Sequence, residues 1–305
     1  MALIFVQILQ TFRGLVIDIL PFFIIALVIS AVVVEYFPAR GLDKLLQQMK
    51  NRETLVSAFL GVLIPATPAF RVSMAAIARR SGAQWTPVLT FIAGAGAGLS
   101  ALIMTSMVSV QFMILRLVVA LLFVYALSLF IVKLIEPRLA AVAMDSDVET
   151  LFSRDFSEVS AEDINNAGGS VTLAGVWRNL LGLARVMLPW LFLSLFLATL
   201  VDVVVSKATV EALLGGPFSA LKAALIGIPF YFVGGAEIPL LSVLLNKGMN
   251  LGAAVSLMLT APLINFPVLS VLGRWVGYRK ALGFMAVCWL IAVVIGLLLG
   301  YIDAR

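Results

Sequence analysis

The chain has no histidine and a single cysteine, Cys288, among its 305 residues. Without histidine, a His-ligated zinc site, a Ser-His-Asp triad and an imidazole proton relay are all excluded. One cysteine cannot form an internal disulfide. The sequence also contains no Gly-x-x-x-x-Gly-Lys-Ser/Thr run for binding ATP phosphates, and no pair of intramembrane acids for an aspartyl protease. We therefore expect a protein that is not an enzyme and that uses no cofactor and no metal.

Charge is scarce as well. Charged residues make up 12% of the chain and hydrophobic residues 62%, and the mean hydropathy is +1.12. No soluble domain needs so much apolar surface, so the composition predicts a polytopic membrane protein with room for about eight spans of roughly 20 residues. The net charge of +5 fits cytoplasmic loops better than nucleic-acid binding. The expected partners are the lipid bilayer and a small-molecule solute, with no nucleic acid.

Eight apolar segments follow one another and are interrupted once by an acidic stretch. Between Asp145 and Asp163 there are seven acidic residues against one base, Arg154. This predicts a solvated linker over residues 139–175, which joins a first membrane repeat (1–138) to a second (176–305). The apolar segments lie at about 14–36, 54–80, 84–108, 111–135, 179–205, 218–246, 250–273 and 281–301.

The two halves carry the same motif at an offset of 166 residues, which aligns Arg71 with Glu237. Pro21 in the first apolar segment corresponds to Pro189 in the fifth, at an offset of 168. Recurrence of both features favours a duplication over coincidence. The offset of 166 residues also aligns Gly61 with Gly227 and Gly82 with Gly248.

The distribution of basic residues predicts how the repeats are oriented. Segment 54–80 is interrupted by Pro65 and Pro68, and segment 218–246 by adjacent glycines. If both segments are re-entrant hairpins, fourteen basic residues lie on the inner side and five on the outer side, whereas eight continuous spans split them ten to nine. The positive-inside preference thus predicts inverted repeats with both termini outside, although fully crossing broken helices fit the prolines equally well. We expect an all-α polytopic membrane protein with two inverted repeats, each of three transmembrane helices plus a broken helix or re-entrant hairpin.

Arg71 and Glu237 are the main candidates for a functional site. An ionisable group inside an apolar span is costly and by default marks function. Both are predicted in the first turn of a second half-helix, where Glu237 complements the positive end of the helix dipole and Arg71 opposes it. We expect the two side chains to lie within reach of each other. Arg71 would then bind an anionic substrate or Glu237 would exchange a proton; the alternative is a structural pair that clamps two hairpins.

Further polar and small residues surround these two charges and complete the predicted substrate site. Asn265 lies in an apolar span and needs a hydrogen-bond partner, so it either lines a site or joins two helices. The other predicted site residues are Thr67, Ser73, Gly234, Gly235 and Thr260.

The second copy of the motif resembles a known family. In order and spacing, Gly227-Ile228-Pro229, Pro239, Lys247-Gly248, Gly252-Ala253-Ala254, Ala261-Pro262 and Asn265 are similar to the pattern of the predicted-permease family that includes the organoarsenical efflux permease ArsP and YraQ-type permeases. The resemblance covers about residues 11–135 and 179–300 and implies a permease. Many relatives have a Cys-Ser-Cys run where this chain has residues 67–73 without cysteine. No thiolate is available there for trivalent arsenic, and Arg71 suggests an anionic or strongly polar solute instead.

The sequence therefore predicts a secondary-transporter-like permease that moves a small polar or anionic solute across a bacterial inner membrane as a multi-pass protein. Its substrate site is expected at the repeat interface near Arg71 and Glu237. The alternative is a non-transporting scaffold or assembly factor with a structural Arg71–Glu237 pair. Homo-oligomerisation is left open.

Overall fold

Helices make up all the regular secondary structure that a computed structural model describes for this chain, over residues 2–36, 46, 54–64, 68–80, 82–94, 98–130, 172–229 and 233–303. The expected all-α class is therefore confirmed. The predicted acidic linker, except for residues 172–175, lies outside the described residues. The helices of the first half are α1 (Ala2–Tyr36), α2 (Thr54–Leu63), α3 (Pro68–Arg80), α4 (Trp85–Ala93), α5 (Leu99–Thr105) and α6 (Val110–Phe130).

The second half repeats this order, with one additional short helix in its described part. Its helices are α7 (Leu173–Val204), α8 (Lys207–Leu214), α9 (Ser219–Ile226), α10 (Ile238–Asn246), α11 (Leu251–Thr260), α12 (Phe266–Val276) and α13 (Tyr278–Asp303).

Four of these helices, α1, α6, α7 and α13, are long and apolar enough to cross a membrane. The shortest of them, α6, has 21 residues and is therefore about 31 Å long, which matches a hydrocarbon core of roughly 30 Å. A multi-pass membrane protein is thus confirmed. All four present many large apolar side chains at the surface of the chain, as lipid-facing helices do.

One of the three transmembrane segments expected in each half, at 84–108 and at 250–273, is not a single helix. The first is divided into α4 and α5, and the second into α11 and α12. In the second half the physical reason is visible: Pro262 and Pro267 have no backbone N–H to donate, and the Asn265 side chain caps the start of α12. Each half therefore has two long helices and two interrupted segments.

A close contact between helices recurs in both halves. At Gly61, near the end of α2, an added Cβ would collide with the carbonyl of Phe91 in α4 and approach Cα of Gly94. At the offset of 166, Gly227 follows α9 and lies against Leu257 of α11. The offset of 166 residues thus relates helix contacts as well as single residues.

Helix α13 defines the two ends of the bundle. A Cβ on Gly300, near the end of α13, would lie 2.8 Å from the side-chain oxygen of Asn250, just before α11; we call this the Asn250 end. Helix α12 ends at Val276, two residues before Tyr278 begins α13; we call this opposite end the Trp275 end. The broken segment α11–α12 therefore runs antiparallel to α13 from one end to the other.

Segment α9–α10 enters and leaves the bundle at the same end. Helix α8 ends beside the start of α11, where the Asn250 amide donates to the Leu214 carbonyl at 2.8 Å. Helix α8 meets α9 at a bend of 105°. After α10, Lys247 Nζ donates to the carbonyls of Asp202 (2.7 Å) and Val205 (2.9 Å) at the end of α7. Both outer ends of α9–α10 thus lie at the Asn250 end, and its turn lies inside the bundle.

The equivalent long helices α1 and α7 pack against each other. Near the end of α1, Glu35 accepts hydrogen bonds from the Thr172 hydroxyl (3.0 Å) and the Asn179 amide (2.9 Å) at the start of α7. Because the end of one helix lies beside the start of the other along a shared face, α1 and α7 run in opposite directions. The positive amino end of α7 also stabilises the negative carboxylate of Glu35.

The contact between α2 and α4 leaves no room for a side chain at Gly94. A Cβ there would lie 2.6 Å from the Ala58 carbonyl oxygen and 3.0 Å from Cα of Gly61. We expect Gly94→Ala to lower the free energy of unfolding by about 1–3 kcal/mol through overpacking. Gly283→Ala in α13 is the matched control, because nothing lies within 4 Å of its added Cβ. Thermal unfolding of detergent-purified protein measures both, and equal melting temperatures would contradict the close contact.

Candidate functional site

The turn between α9 and α10 lies against the first half of the chain. Gly234 and Gly235 have φ angles of 64° and 94°, a left-handed conformation that glycine adopts without strain. Gly234 packs under Met187 of α7, and a Cβ on Gly235 would lie 2.9 Å from Cα of Ala101 and from Cβ of Met104 in α5. The two predicted glycines therefore allow this turn to approach α5 at backbone distance.

Two residues after Gly235, Glu237 has a buried carboxylate. Glu237 is the N-cap of α10 and is 1% exposed. Its Oε1 accepts a hydrogen bond from Nη2 of Arg116 at 2.5 Å, and Arg116, in α6, is also 1% exposed. Nη1 of Arg116 donates to the Thr105 hydroxyl at 3.0 Å, which in turn donates to the Ala101 carbonyl at 2.6 Å. The ion pair thus connects the turn of the second half to α6 of the first half, and the hydrogen bond to Thr105 extends the connection to α5.

Two effects offset the cost of burying these charges. The carboxylate lies at the positive amino end of α10, and the guanidinium neutralises it at hydrogen-bond distance. Such a pair adds little net stability over apolar side chains, but loss of one partner leaves an uncompensated buried charge. The arrangement therefore holds the two halves in register as long as both partners stay charged.

Arg71 lies in the first turn of α3, as predicted, and is 3% exposed. Its guanidinium donates to the carbonyls of Gly61 and Ile64, the latter at 2.9 Å. These belong to the carbonyls at the end of α2 that have no partner within the helix, where the helix dipole is negative. Arg71 therefore joins α2 to α3 across the break between them.

The ion pair of Glu237 is with Arg116, a partner that the sequence analysis did not name, and an approach of Arg71 to Glu237 stays a prediction. The sequence argument considered only the positive amino end of α3, which repels Arg71. It missed the negative carboxyl end of α2, which folds back to the same place and stabilises the guanidinium. Arg71 and Glu237 thus have equivalent positions in the repeat but different partners.

The predicted residues Thr260 and Asn265 lie together at the break between α11 and α12. The Thr260 hydroxyl donates to the Ser256 carbonyl at 2.8 Å. Asn265 donates to the Ala261 carbonyl at 3.0 Å and accepts from the Val268 amide at 3.0 Å. These bonds satisfy the Asn265 side chain within its own segment, where it caps the start of α12. Of the other two predicted residues, Thr67 and the side chain of Ser73 lie outside the described part of the structure.

Arg116 and Thr105 were missed by the sequence analysis. The signal for Arg116 was present, since it is the one charged residue in the 21 residues of α6, and a lone charge in an apolar span indicates function. It was overlooked because its segment has no break and no charged counterpart in the other half. Thr105 gives no such signal, because threonine is common in membrane helices.

This combination of apolar spans, interrupted segments and buried charges is that of a multi-pass membrane protein with a charged interior. A sequence profile of the family described as predicted permease, of the ArsP type, matches residues 4–301. The chain belongs to this predicted-permease family.

One curated relative is a UPF0718 protein of Methanocaldococcus jannaschii, 24% identical over 122 residues. The match covers 39% of this chain and spans about a third of the relative, 33% of its length. No solved structure shows a significant match to the chain.

A double-mutant cycle tests the Arg116–Glu237 pair. We expect Arg116→Met or Glu237→Met alone to cost about 3–5 kcal/mol, because each leaves a buried unpaired charge, and the double variant to recover most of that loss. Chemical unfolding in detergent measures the four proteins.

The exposed pair Lys207–Glu211, separated by 3.6 Å, provides the matched control, with an expected coupling of about 1 kcal/mol or less. An equally small coupling between Arg116 and Glu237 would show that the two charges do not depend on each other.

Proposed function

We propose that this chain is a secondary-transporter-like permease that moves a small polar or anionic solute across a bacterial inner membrane. The family to which the chain belongs suggests transport. The observation that carries the proposal is the buried ion pair between Arg116 and Glu237, which lies where the turn of one half meets two helices of the other. Charges at such a position mark solute and ion pathways in membrane transporters.

The orientation of equivalent helices supports inverted repeats. Trp85, which begins α4, packs against Trp275 near the end of α12 with ring centroids 5.3 Å apart and the rings tilted by 35°, so α4 begins at the Trp275 end. Its counterpart α11 begins at the Asn250 end, where a Cβ on Gly252 would lie 2.7 Å from the Gly300 amide nitrogen. Equivalent helices therefore start at opposite ends of the bundle, and α1 and α7 are likewise antiparallel.

The path of α9–α10 supports a re-entrant hairpin in the second half. At about 12–14 Å, each of its two helices is too short to cross a core of roughly 30 Å. Both outer ends lie at the Asn250 end, and the turn with Glu237 is buried. In this arrangement the amino end of α10 points into the site, where it would attract the negative part of a solute.

The solute site proposed here keeps the residues predicted from sequence and adds two. Arg116 would hold an anionic group of the solute through its planar fork of N–H donors, and Thr105 would orient that fork. Glu237 would compete with the solute for Arg116. Arg71 would hold the first hairpin together while adding positive charge nearby. The remaining proposed residues are those predicted from the sequence, namely Thr67, Ser73, Gly234, Gly235, Thr260 and Asn265.

The inverted arrangement predicts that the linker and the carboxyl end lie on opposite sides of the membrane. Single cysteines at Asn165 and Asp303, introduced into a Cys288→Ser background, should react with an impermeant thiol reagent from opposite faces of oriented vesicles. Reaction of both from the same face would contradict inverted repeats.

Transport itself distinguishes the permease from a scaffold. Proteoliposomes containing the purified chain should take up at least one of four labelled probes, namely inorganic phosphate, lactate, nitrate or glycerol, faster than empty liposomes. The Arg116→Met/Glu237→Met double variant should fold, as its melting temperature will show, but lose the uptake. A scaffold would give no protein-dependent uptake of any probe, and unchanged uptake by the double variant would place the solute path elsewhere.

A further inference from the structure

We propose that the Trp275 end of the bundle binds the phosphate of an anionic phospholipid through the side chains of Arg79 and Trp85. The lipid site shares no residue with the proposed solute site, and its occupancy does not depend on transport. Three helices meet there, since Arg79 lies in the last turn of α3, Trp85 begins α4 and Trp275 lies near the end of α12.

The guanidinium of Arg79 is held against an aromatic pair. Its Nη1 donates to the Ala83 carbonyl at 3.0 Å, and its central carbon lies over the Trp85 ring, 5.0 Å from the ring centroid. At this distance a cation is attracted to an indole ring. Trp85 in turn packs against Trp275, with ring centroids 5.3 Å apart. Because Arg79 is half-buried, its charge lies at the surface of this junction and not in the core.

Two N–H groups of this cluster have no acceptor. Nε of Arg79 and Nε1 of Trp85 are enclosed and make no hydrogen bond within the described part of the chain. Leaving a buried donor without an acceptor is costly, so most such groups in proteins have one. An indole N–H and a guanidinium can only donate. The missing partner is therefore a group with acceptor oxygens.

A phosphodiester has the acceptors that this cluster lacks. Its two unesterified oxygens lie side by side, and the Nε–Nη2 edge of a guanidinium presents two parallel donors that match them. The bond from Nη1 to Ala83 does not occupy that edge. The indole of Trp85 adds a third donor, in a residue type that membrane proteins use where an apolar and a polar environment meet.

The surroundings of the cluster are positive and contain no carboxylate. Arg274 and Arg279 are exposed and Lys280 is half-buried, all close to the turn between α12 and α13. Helices α3, α4 and α12 contain no acidic residue, and the acid of α13, Asp303, lies at the opposite end of that helix. Basic groups near a membrane surface attract anionic lipids, so a headgroup with net negative charge is favoured over a zwitterionic one.

The other end of the bundle does not have this excess of positive charge. There Lys247 lies 3.4 Å from the carboxylate of Asp202, and Lys207 lies 3.6 Å from that of Glu211. The contrast between the two ends is the reason for assigning the lipid to the Trp275 end.

Exposed tyrosines indicate that the cluster lies at the level of the lipid headgroups. Tyr278 and Tyr301 are 53% and 61% exposed and lie about 34 Å apart along α13, slightly more than a hydrocarbon core of roughly 30 Å. Tyrosine at both ends of a spanning helix is typical of membrane interfaces. Tyr278 also packs against Gly273, where an added Cβ would lie 2.5 Å from its ring. The last turn of α12, with Trp275, is therefore in the same layer as Tyr278.

The first test compares three probes on delipidated wild-type protein in a neutral detergent: phosphatidylglycerol, phosphatidylcholine and inorganic phosphate. Because a ligand that binds the folded state stabilises it by mass action, phosphatidylglycerol should raise the melting temperature with increasing concentration. Phosphatidylcholine should raise it far less, and inorganic phosphate should leave it unchanged. Native mass spectrometry should detect the bound phosphatidylglycerol.

Each alternative ligand has its own result. An equal shift with both lipids would contradict recognition of an anionic headgroup. A shift with inorganic phosphate as large as that with phosphatidylglycerol would overturn a lipid as the source of the phosphate.

Variants then locate the site. Arg79→Gln should weaken binding of phosphatidylglycerol about tenfold or more, and Trp85→Phe, which keeps a ring but loses the N–H, about two- to tenfold. Arg79→Lys keeps the charge but not the two parallel donors, so it should restore only part of the affinity. Lys222→Gln, at an exposed base near the Asn250 end, loses the same charge as Arg79→Gln and is the control that should bind like wild type.

The melting temperature without lipid shows whether each variant folds. Arg274→Gln changes an exposed side chain, so it should fold even if Arg79→Gln does not, and should weaken binding about fivefold. Unchanged affinity in Trp85→Phe and Arg274→Gln, or a loss in Lys222→Gln as large as that in Arg79→Gln, would contradict the site.

Discussion

The arrangement of this protein depends on a buried ion pair that neither half can form alone. Glu237 is placed by the glycine turn of the second half, and Arg116 is placed by a long helix of the first. In a low-dielectric interior each charge requires the other. The contact of that turn with α5 and α7, and the position of the turn deep inside the bundle, follow from the need to bring the carboxylate to the guanidinium.

Positions 166 residues apart have similar packing but different charges. The glycine contacts of α2 with α4 and of α9 with α11 are equivalent, yet the charge at the start of each second half-helix differs in sign. Arg71 turns back to the carbonyls of its own hairpin, whereas Glu237 reaches across to the other half. The hydrogen bonds of Arg71 thus join α2 to α3, whereas the ion pair of Glu237 joins the second half to the first.

Much of this could be predicted from the sequence, because single residues in apolar surroundings are informative. The helical class and the division of segments 54–80 and 218–246 followed from the apolar composition and from prolines and glycines within these segments. The partner of each charge did not, because it depends on which helix end folds back beside it. The division of segments 84–108 and 250–273 into two helices each was also missed, since small residues are tolerated within a helix and only packing and capping show where it ends.

We propose that the Arg116–Glu237 site lies on a solute path that opens in turn to each side of the membrane. The most direct measurement is the reaction of a cysteine at Thr105, in a Cys288→Ser background, with a small impermeant thiol reagent applied to one face of oriented vesicles at a time. The hydroxyl it replaces is fully buried and bonds to Arg116. We expect the cysteine to react from both faces, each at a rate that a transported anion changes. Reaction from one face only, or from neither, would contradict alternating access to this site.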